Sequence, residues 1–178
     1  MNFNRKDKIE IVENAISWII VFAMFVYGGA KVIQFDGASE IDKTVSEMTG
    51  MELMWAFYGY SKSYAIIIGL FEVIGALLIL FNKTRILGAI VLTTILVNVI
   101  LQDIFYSVNQ GALQAAIIYQ AIIFCIIYLR RVEVISTLKY YFQQVKSTER
   151  SWKRKALIAV CSIIIAFSLK LVEAFLTH

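Results

Sequence analysis

A single glutamate interrupts the apolar run AIIIGLFEVIGALLILF, which covers residues 65–81. This residue is Glu72, and an ionised side chain at the centre of a bilayer costs roughly 2.5–3.5 kcal/mol on insertion scales. Ionisable residues in such positions are rare, and they commonly bind ions or ligands or carry protons. Glu72 is therefore the first candidate for a functional residue, and a purely structural ion pair is the alternative.

Lys31 is the candidate partner of Glu72. It closes the sequence GGAK at the end of the first apolar run. Gly69 and Gly75 flank Glu72 at three residues on either side, and the absence of side chains there lets another helix or a ligand approach closely. We predict that Glu72 and Lys31 form the catalytic pair of an outward-facing polar pocket, with Glu72 at its floor.

Other polar and aromatic residues fall in the same half of the membrane when the chain is threaded at about 1.5 Å per residue. The predicted ligand-binding residues are Asn98, Gln102, Asp103, Tyr119, Gln120, Trp55 and Tyr58. Asn98 and Gln102 are four residues apart, so they lie on one side of a helix. Two alternatives stay open, since amides also join helices by hydrogen bonds and aromatic residues also form the interfacial belt.

The composition is that of a membrane protein and excludes several kinds of site. The 178 residues are 60% hydrophobic, and the mean hydropathy is +0.73. The only histidine is His178, and the two cysteines, Cys125 and Cys161, form no C-x-x-C motif. Glycine motifs for nucleotide phosphates are also absent from the sequence. We therefore expect no metal site, no covalently bound cofactor and no nucleic acid partner.

Five apolar runs are long enough, or nearly so, to cross a bilayer, which requires about 20 residues. They cover residues 13–33, 63–82, 85–106, 112–129 and 156–176. The last run contains Lys170, so we expect its ammonium to reach the membrane surface or to pair with Glu173 one turn later. The sequence thus predicts an all-α integral membrane protein with a single membrane domain over residues 1–178.

Basic residues predict the orientation, because cytoplasmic loops are enriched in lysine and arginine. With the N-terminus inside, the cytoplasmic segments hold most of the 17 basic residues: Arg5, Lys6, Lys8, Lys83, Arg85, Arg130, Arg131, Lys139, Lys146, Arg150, Lys153, Arg154 and Lys155. We therefore expect a multi-pass protein of the bacterial cytoplasmic (inner) membrane, with the N-terminus in the cytoplasm and the C-terminus outside.

Two segments between the apolar runs have their own patterns. Residues 130–155 are basic, and Ile135, Leu138, Phe142 and Val145 share one helical face within them. This pattern predicts an amphipathic helix on the cytoplasmic surface, in contact with anionic lipids. The other segment, residues 36–61, is acidic and then aromatic, and we expect it to cover the outer mouth of the bundle.

Several short motifs resemble the DoxX family of small bacterial membrane proteins. They are FVYGGAKVI, then WAFYGYS at Trp55 to Ser61, then GLFEVIGALL around Glu72, and Asn98–Val99. The resemblance implies a DoxX-like four-helix transmembrane bundle over residues 12–129, to which residues 130–155 and a fifth transmembrane helix at 156–176 are added. The chain departs from the family after its third apolar run. The family is expected to end this helix with a sequence like Y-D-V-P-V-K, but the chain has YSVNQG at Tyr106 to Gly111.

The DoxX resemblance implies a quinone-linked oxidoreductase component without its own metal centre, working with a partner membrane or redox protein. In this hypothesis Glu72 bonds or protonates a quinone oxygen, Lys31 supplies positive charge, and Asn98 and Gln102 orient the ring. A non-enzymatic accessory or assembly protein is the first alternative. A carrier for a small solute is the second, although no inverted repeat is evident.

Overall fold

The computed structural model describes residues 3–144 and 150–177, and all regular structure in these ranges is helical. The helices are α1 (Arg5–Ala30), α2 (Gly50–Tyr60), α3 (Lys62–Leu80), α4 (Arg85–Phe105), α5 (Gln110–Leu129), α6 (Arg131–Gln144) and α7 (Trp152–Thr177), with a 3₁₀ turn at Asp36–Glu40. The predicted all-α fold class is confirmed. Val145 and Lys146 of the predicted amphipathic segment, and His178, lie outside the described residues.

Five of these helices, α1, α3, α4, α5 and α7, are long and apolar enough to cross a membrane. This confirms the prediction of a multi-pass membrane protein. Helix α1 begins at Arg5, ahead of the apolar run, because Asn4 caps it. The Asn4 side-chain oxygen accepts from the backbone N–H of Asp7 at 2.9 Å, and the Asp7 carboxylate accepts from the backbone N–H of Asn4 at 2.9 Å.

The chain divides into two compact units, Met1–Thr137 and Leu138–His178. In the first unit α1 packs against α3 and α5, and α4 packs against the same two helices. Four helices thus close into a ring around a core of large apolar side chains: Ile20, Met24, Ile79, Leu92, Ile123 and Ile126. The prediction of a single domain over the whole chain stays a prediction.

Glycines set the closest approach of α1 and α3. A Cβ atom on Gly28 would lie 2.6 Å from the carbonyl oxygen of Gly69 and 3.3 Å from the Cβ of Glu72. Lipid and buried apolar side chains are alike in polarity, so helices in a membrane associate largely through such close packing. The contact places the end of α1 directly against the turn of α3 that carries Glu72.

Helix α2 lies over one end of the four-helix ring. The side chain of Thr49 accepts from the backbone N–H of Glu52 at 3.2 Å, and the Glu52 carboxylate accepts from the backbone N–H of Thr49 at 2.8 Å. These two bonds form a capping box that starts the helix. Its buried residues Met54 and Tyr58 pack with Phe35 and with Ala65 of α3. The predicted covering segment is therefore built around a short helix.

The second unit consists of the end of α6 and all of α7. None of the described residues of α7 is buried, and within it the ammonium of Lys170 lies 2.7 Å from the Glu173 carboxylate. The charge inside the last apolar run is thus paired on its own helix, one turn away, which is one of the two outcomes that the spacing predicts.

Candidate functional site

The residues Lys31, Glu72 and Asp103 form a cluster that we call the lysine end. The Lys31 ammonium lies 3.3 Å from a carboxylate oxygen of Glu72, and the two side chains are only 11% and 3% exposed. Lys31 immediately follows α1, where its positive charge also interacts favourably with the helix dipole. The ion pair suggested by the sequence is therefore formed in the structure.

Two carboxylate oxygens at the lysine end have no hydrogen-bond partner among the described residues. They are Oε2 of Glu72 and Oδ2 of Asp103, and both are buried. Buried polar atoms are nearly always hydrogen-bonded in native proteins. The cluster also has one ammonium for two carboxylates, so it carries a net negative charge when both acids are ionised. Both features call for a proton or a hydrogen-bond donor.

A cavity of about 290 Å³ lies between α2 and the lysine end. Six of the residues predicted from the sequence line it: Lys31, Trp55, Tyr58, Asn98, Gln102 and Asp103. The volume is near the lower limit of typical small-molecule sites, which suits a single ring-sized group. Sequence reasoning missed Gln34, Phe35, Tyr64 and Thr94, which also line the cavity.

Glu72 does not line this cavity but an adjacent one of about 80 Å³, together with Tyr119. Lys31 and Gln34 line both cavities, so their side chains stand between the two. The smaller cavity has room for a few water molecules, and several polar groups surround it. Glu72 therefore lies behind Lys31, and the ammonium is the part of the ion pair that meets the larger cavity.

Gln120 is the one predicted binding residue that lines neither cavity. Its amide nitrogen donates to the hydroxyl of Thr93 at 3.2 Å, which joins α5 to α4. This contact matches the alternative interpretation of a hydrogen bond between helices.

A chain of hydrogen bonds crosses the wall of the larger cavity. The Tyr58 hydroxyl donates to Oε1 of Gln102 at 2.9 Å, and the Gln102 amide donates to Oδ1 of Asn98 at 2.8 Å. Burial raises the pKa of Tyr58 above its ordinary value, so the phenol stays a donor at neutral pH. The two amides are thus oriented by the tyrosine of α2, and the Asn98 amide N–H₂ is left at the end of the chain.

Exposed residues of α3 and α4 line the larger cavity, and from this we infer that it opens sideways between these two helices. Tyr64, Thr94 and Asn98 line it and are exposed on the surface of the protein. Thr94 and Asn98 lie in the middle and second half of a membrane-spanning helix. The opening therefore faces the position of lipid, and a lipid-soluble molecule has a lateral path to the polar groups.

A second polar cluster, the arginine end, lies at the other end of the same four helices and consists of Glu13, Arg85 and Arg130. Arg85 donates to Glu13 at 2.6 Å, and the Nε of Arg130 donates to the same oxygen. Arg85 also donates to the carbonyl of Ile79 and to Asn14, both at 2.9 Å.

Sequence reasoning used the two arginines of this cluster only for orientation and did not consider Glu13. The sequence did contain a signal for this ion pair, since a glutamate, Glu13, starts the first apolar run and an arginine, Arg85, starts the third.

The structure shows no group of three or more histidine, cysteine, aspartate or glutamate residues placed to hold a metal ion within residues 3–144 and 150–177. The polar groups of the lysine end and of the larger cavity beside it include two carboxylates, an ammonium, three amides and two phenols. Such a set can bind and orient a ligand that both donates and accepts hydrogen bonds, and it can exchange protons with that ligand.

Comparison with known proteins corrects the family assignment. The family model that matches describes methylamine utilisation protein MauE and covers residues 9–115, and this membrane protein family is distinct from DoxX. The resemblance to DoxX was therefore wrong. It rested on short apolar and glycine-containing motifs, which close-packed membrane helices of unrelated families also use.

One curated relative is the uncharacterized protein YwoB of Bacillus subtilis (strain 168). It is 33% identical over 107 residues, which are 58% of this chain and 68% of the relative. No solved structure matches the chain. The matched residues contain Lys31, Glu72 and Asp103 as well as Glu13 and Arg85, and thus most of both polar clusters. Since the family model matches more than half of this chain, the chain belongs to the MauE family of membrane proteins.

Proposed function

We propose that the protein is a membrane accessory component of a redox system and that its lysine-end cavity binds a lipid-soluble quinone or quinol. The observation that carries the proposal is the lateral opening of a polar cavity between α3 and α4, with Asn98 and Thr94 in its exposed wall. Exposing polar side chains to lipid costs free energy, and such groups commonly bind a ligand or another protein group. Membership of the MauE family supports an accessory role of this kind.

The chemistry of the cavity fits both redox forms of such a ligand. A quinone offers two carbonyl oxygens, which the Lys31 ammonium and the Asn98 amide can bind as donors. A quinol offers two hydroxyls, and the carboxylate of Asp103, which lines the cavity, can accept from one of them. Glu72, behind Lys31, is the group through which a proton would leave toward the smaller cavity.

The first test identifies small molecules that co-purify with the intact protein, by mass spectrometry of organic extracts. We expect a quinone in the wild type and its loss from Asn98→Leu and Glu72→Gln variants that still elute as folded protein. Gln114→Leu is the matched control, because this amide is exposed on spanning helix α5 and lines neither lysine-end cavity. Bulk phospholipid alone in every sample would reject the quinone site.

The alternative is a non-enzymatic assembly role. It is favoured by α7, none of whose described residues is buried and most of which are apolar, so that this helix is available to another membrane protein. A protein partner that cross-links to α7, in the absence of any bound quinone, would support this function instead.

The proposed orientation places the N-terminus in the cytoplasm of a bacterial cell, so that the arginine end faces inward. It rests on the distribution of basic residues. The test uses a membrane-impermeant thiol reagent on intact cells, with Cys125 and Cys161 replaced by alanine. We expect Ser107→Cys to react and Lys83→Cys to react only after lysis. The reverse pattern would show the opposite orientation.

A further inference from the structure

A separate cavity of about 320 Å³ lies at the arginine end, between α1 and the turn that joins α3 to α4. The residues that matter for its chemistry are Asn14, Ser17, Trp18, Phe81, Asn82 and Arg85. Along α1 it is about 20 Å from the lysine end, at about 1.5 Å per residue. It therefore takes no part in the site described above.

Ser17 is the first indication that this cavity has a ligand. The side chain is only 2% exposed, and its hydroxyl has no hydrogen-bond partner among the described residues. A serine in a helix ordinarily bonds a carbonyl of the preceding turn when no other partner is present. Ser17 lines the cavity, and its hydroxyl is a group of the wall that still has a hydrogen bond to donate.

Arg85 supplies positive charge and free donors in the same cavity. It is 3% exposed, and its hydrogen bonds to Ile79, Glu13 and Asn14 use three of the five N–H groups of a guanidinium. Glu13, Arg85 and the half-buried Arg130 together carry one positive charge in excess, which the exposed carboxylate of Glu133, 3.4 Å from Arg130, offsets only in part because water screens it. The cavity therefore favours an anion with several acceptor oxygens.

The start of α4 adds to this preference. Arg85 is the first residue of the helix, and the hydroxyl of Thr84 donates to the carbonyl of Leu78 at 2.8 Å instead of capping the first turn. Uncapped N–H groups at a helix N-terminus attract anions. This feature and the free Ser17 hydroxyl are independent observations that indicate the same kind of ligand.

An apolar groove continues from the polar cavity along α3. It is lined by Ile74, Leu77, Leu78 and Phe81, with Asn82 shared by both and Lys83 at its rim. Trp18, on the other side, is 58% exposed, as is typical of aromatic residues at the level of lipid head groups. A polar anion site beside an open apolar groove fits a molecule with a charged head and a hydrocarbon chain.

We propose that this cavity binds the phosphate of an anionic phospholipid, with an acyl chain in the groove of α3. Ser17 and Arg85 donate to the phosphate oxygens, and the amides of Asn14 and Asn82 bind the polar head group. The excess positive charge selects an anionic lipid over a zwitterionic one.

The test is native mass spectrometry of the full-length protein in detergent, titrated with phosphatidylglycerol. We expect one tightly held lipid in the wild type and roughly ten-fold weaker binding in Ser17→Ala, because a hydrogen bond to a charged group is lost. The melting temperature should not change, since the hydroxyl makes no bond within the protein. Ser168→Ala on α7, whose hydroxyl bonds the carbonyl of Ile164, is the control and should bind like the wild type.

Two further probes distinguish the source of the phosphate. Phosphatidylcholine should bind at least several-fold more weakly than phosphatidylglycerol, and millimolar inorganic phosphate should not displace the bound lipid. Equal binding of both lipids, or unchanged binding in Ser17→Ala, would overturn the proposal. If inorganic phosphate displaces the bound phosphatidylglycerol while the Ser168→Ala control stays folded, the ligand is free phosphate and not a lipid.

Discussion

The lysine end and the arginine end lie on the same four helices, yet they are built in opposite ways. At the lysine end two acids share one ammonium, the ion pair is 3.3 Å long, and an oxygen on each acid has no partner. At the arginine end two guanidinium groups share one buried acid, and Arg85 and Arg130 donate to five further groups on Asn14, Ile79, Asn82 and the exposed Glu133.

This difference separates an acid whose protein partners are already in place from two acids that each keep an oxygen without a partner among the described residues. A buried ion pair offsets its desolvation only when the remaining donors and acceptors are also satisfied. Glu13 meets that condition, because it accepts from both arginines, which tie α1, α4 and the end of α5 together, while two N–H groups of Arg85 remain free within the described part of the chain. Glu72 and Asp103 do not meet it, and cavities lie beside both of them. The protein thus tolerates unsatisfied acids where a donor can arrive from outside.

The largest expected effect is that of Arg85→Met, which tests the structural role of the arginine end. It removes three hydrogen bonds and leaves Glu13 with Arg130 alone. Breaking a buried ion pair from one side costs about 3–5 kcal/mol, so thermal unfolding in detergent should occur at a much lower temperature. Arg131→Met is the control, because that side chain is exposed. Equal melting temperatures for the two variants would contradict the assigned role.

A direct comparison of the two ends replaces each central acid by its amide. Glu13→Gln leaves the buried guanidinium of Arg85 and the half-buried one of Arg130 facing a neutral side chain, and we expect the free energy of unfolding to fall by about 3 kcal/mol or more. Glu72→Gln should cost about 1–2 kcal/mol, since its contact is longer and one oxygen is already unpartnered. Chemical unfolding of both variants in the same detergent shows which one loses more free energy of unfolding. If Glu72→Gln is the more destabilising, the lysine end is structural.

Helix packing at the lysine end can be tested with neighbouring glycines. Gly28→Ala would push a methyl group against the Gly69 carbonyl, and overpacking of this kind costs about 1–3 kcal/mol. It should also move Lys31 away from Glu72. Gly29→Ala is a matched control, because nothing lies within 4 Å of a Cβ at that position. We expect a lower melting temperature for Gly28→Ala only, and equal behaviour would show that α1 and α3 do not need this close contact.

The smallest expected effect concerns the helix that covers the lysine end. The hydrogen bond from Lys43, with the capping bonds of Thr49, lowers the pKa of Glu52 from 4.5 to about 2. Because the folded-state pKa is depressed, the stabilisation of α2 is complete above pH 4.5 and is lost as the pH falls toward 2. Trp55 fluorescence, with Trp18 and Trp152 replaced by phenylalanine, should follow this change. Glu52→Gln should weaken the response, and an unchanged response would exclude the capping box as its source.

The membrane spans were predictable because apolar runs end sharply at charged residues. Helices α3, α4 and α5 begin and end within about two residues of the predicted runs, and Lys62, Arg85 and Arg130 mark their limits. Helix α2 was not predicted as a helix, although Thr49 and Glu52 have the spacing of a capping box. Short motifs also failed to identify the family, since apolar helices offer few residue types from which to recognise one.

By itself the sequence determined the fold class and the spans, because hydrophobic length restricts them strongly, and the cost of a lone charge in lipid made Lys31 a candidate partner of Glu72. Only the tertiary structure placed Glu72 behind Lys31 and joined Glu13 to arginines 72 and 117 residues away. It also showed which polar atoms lack partners. Such features depend on how helices rotate and pack against each other, and packing is set by contacts between residues far apart in the chain.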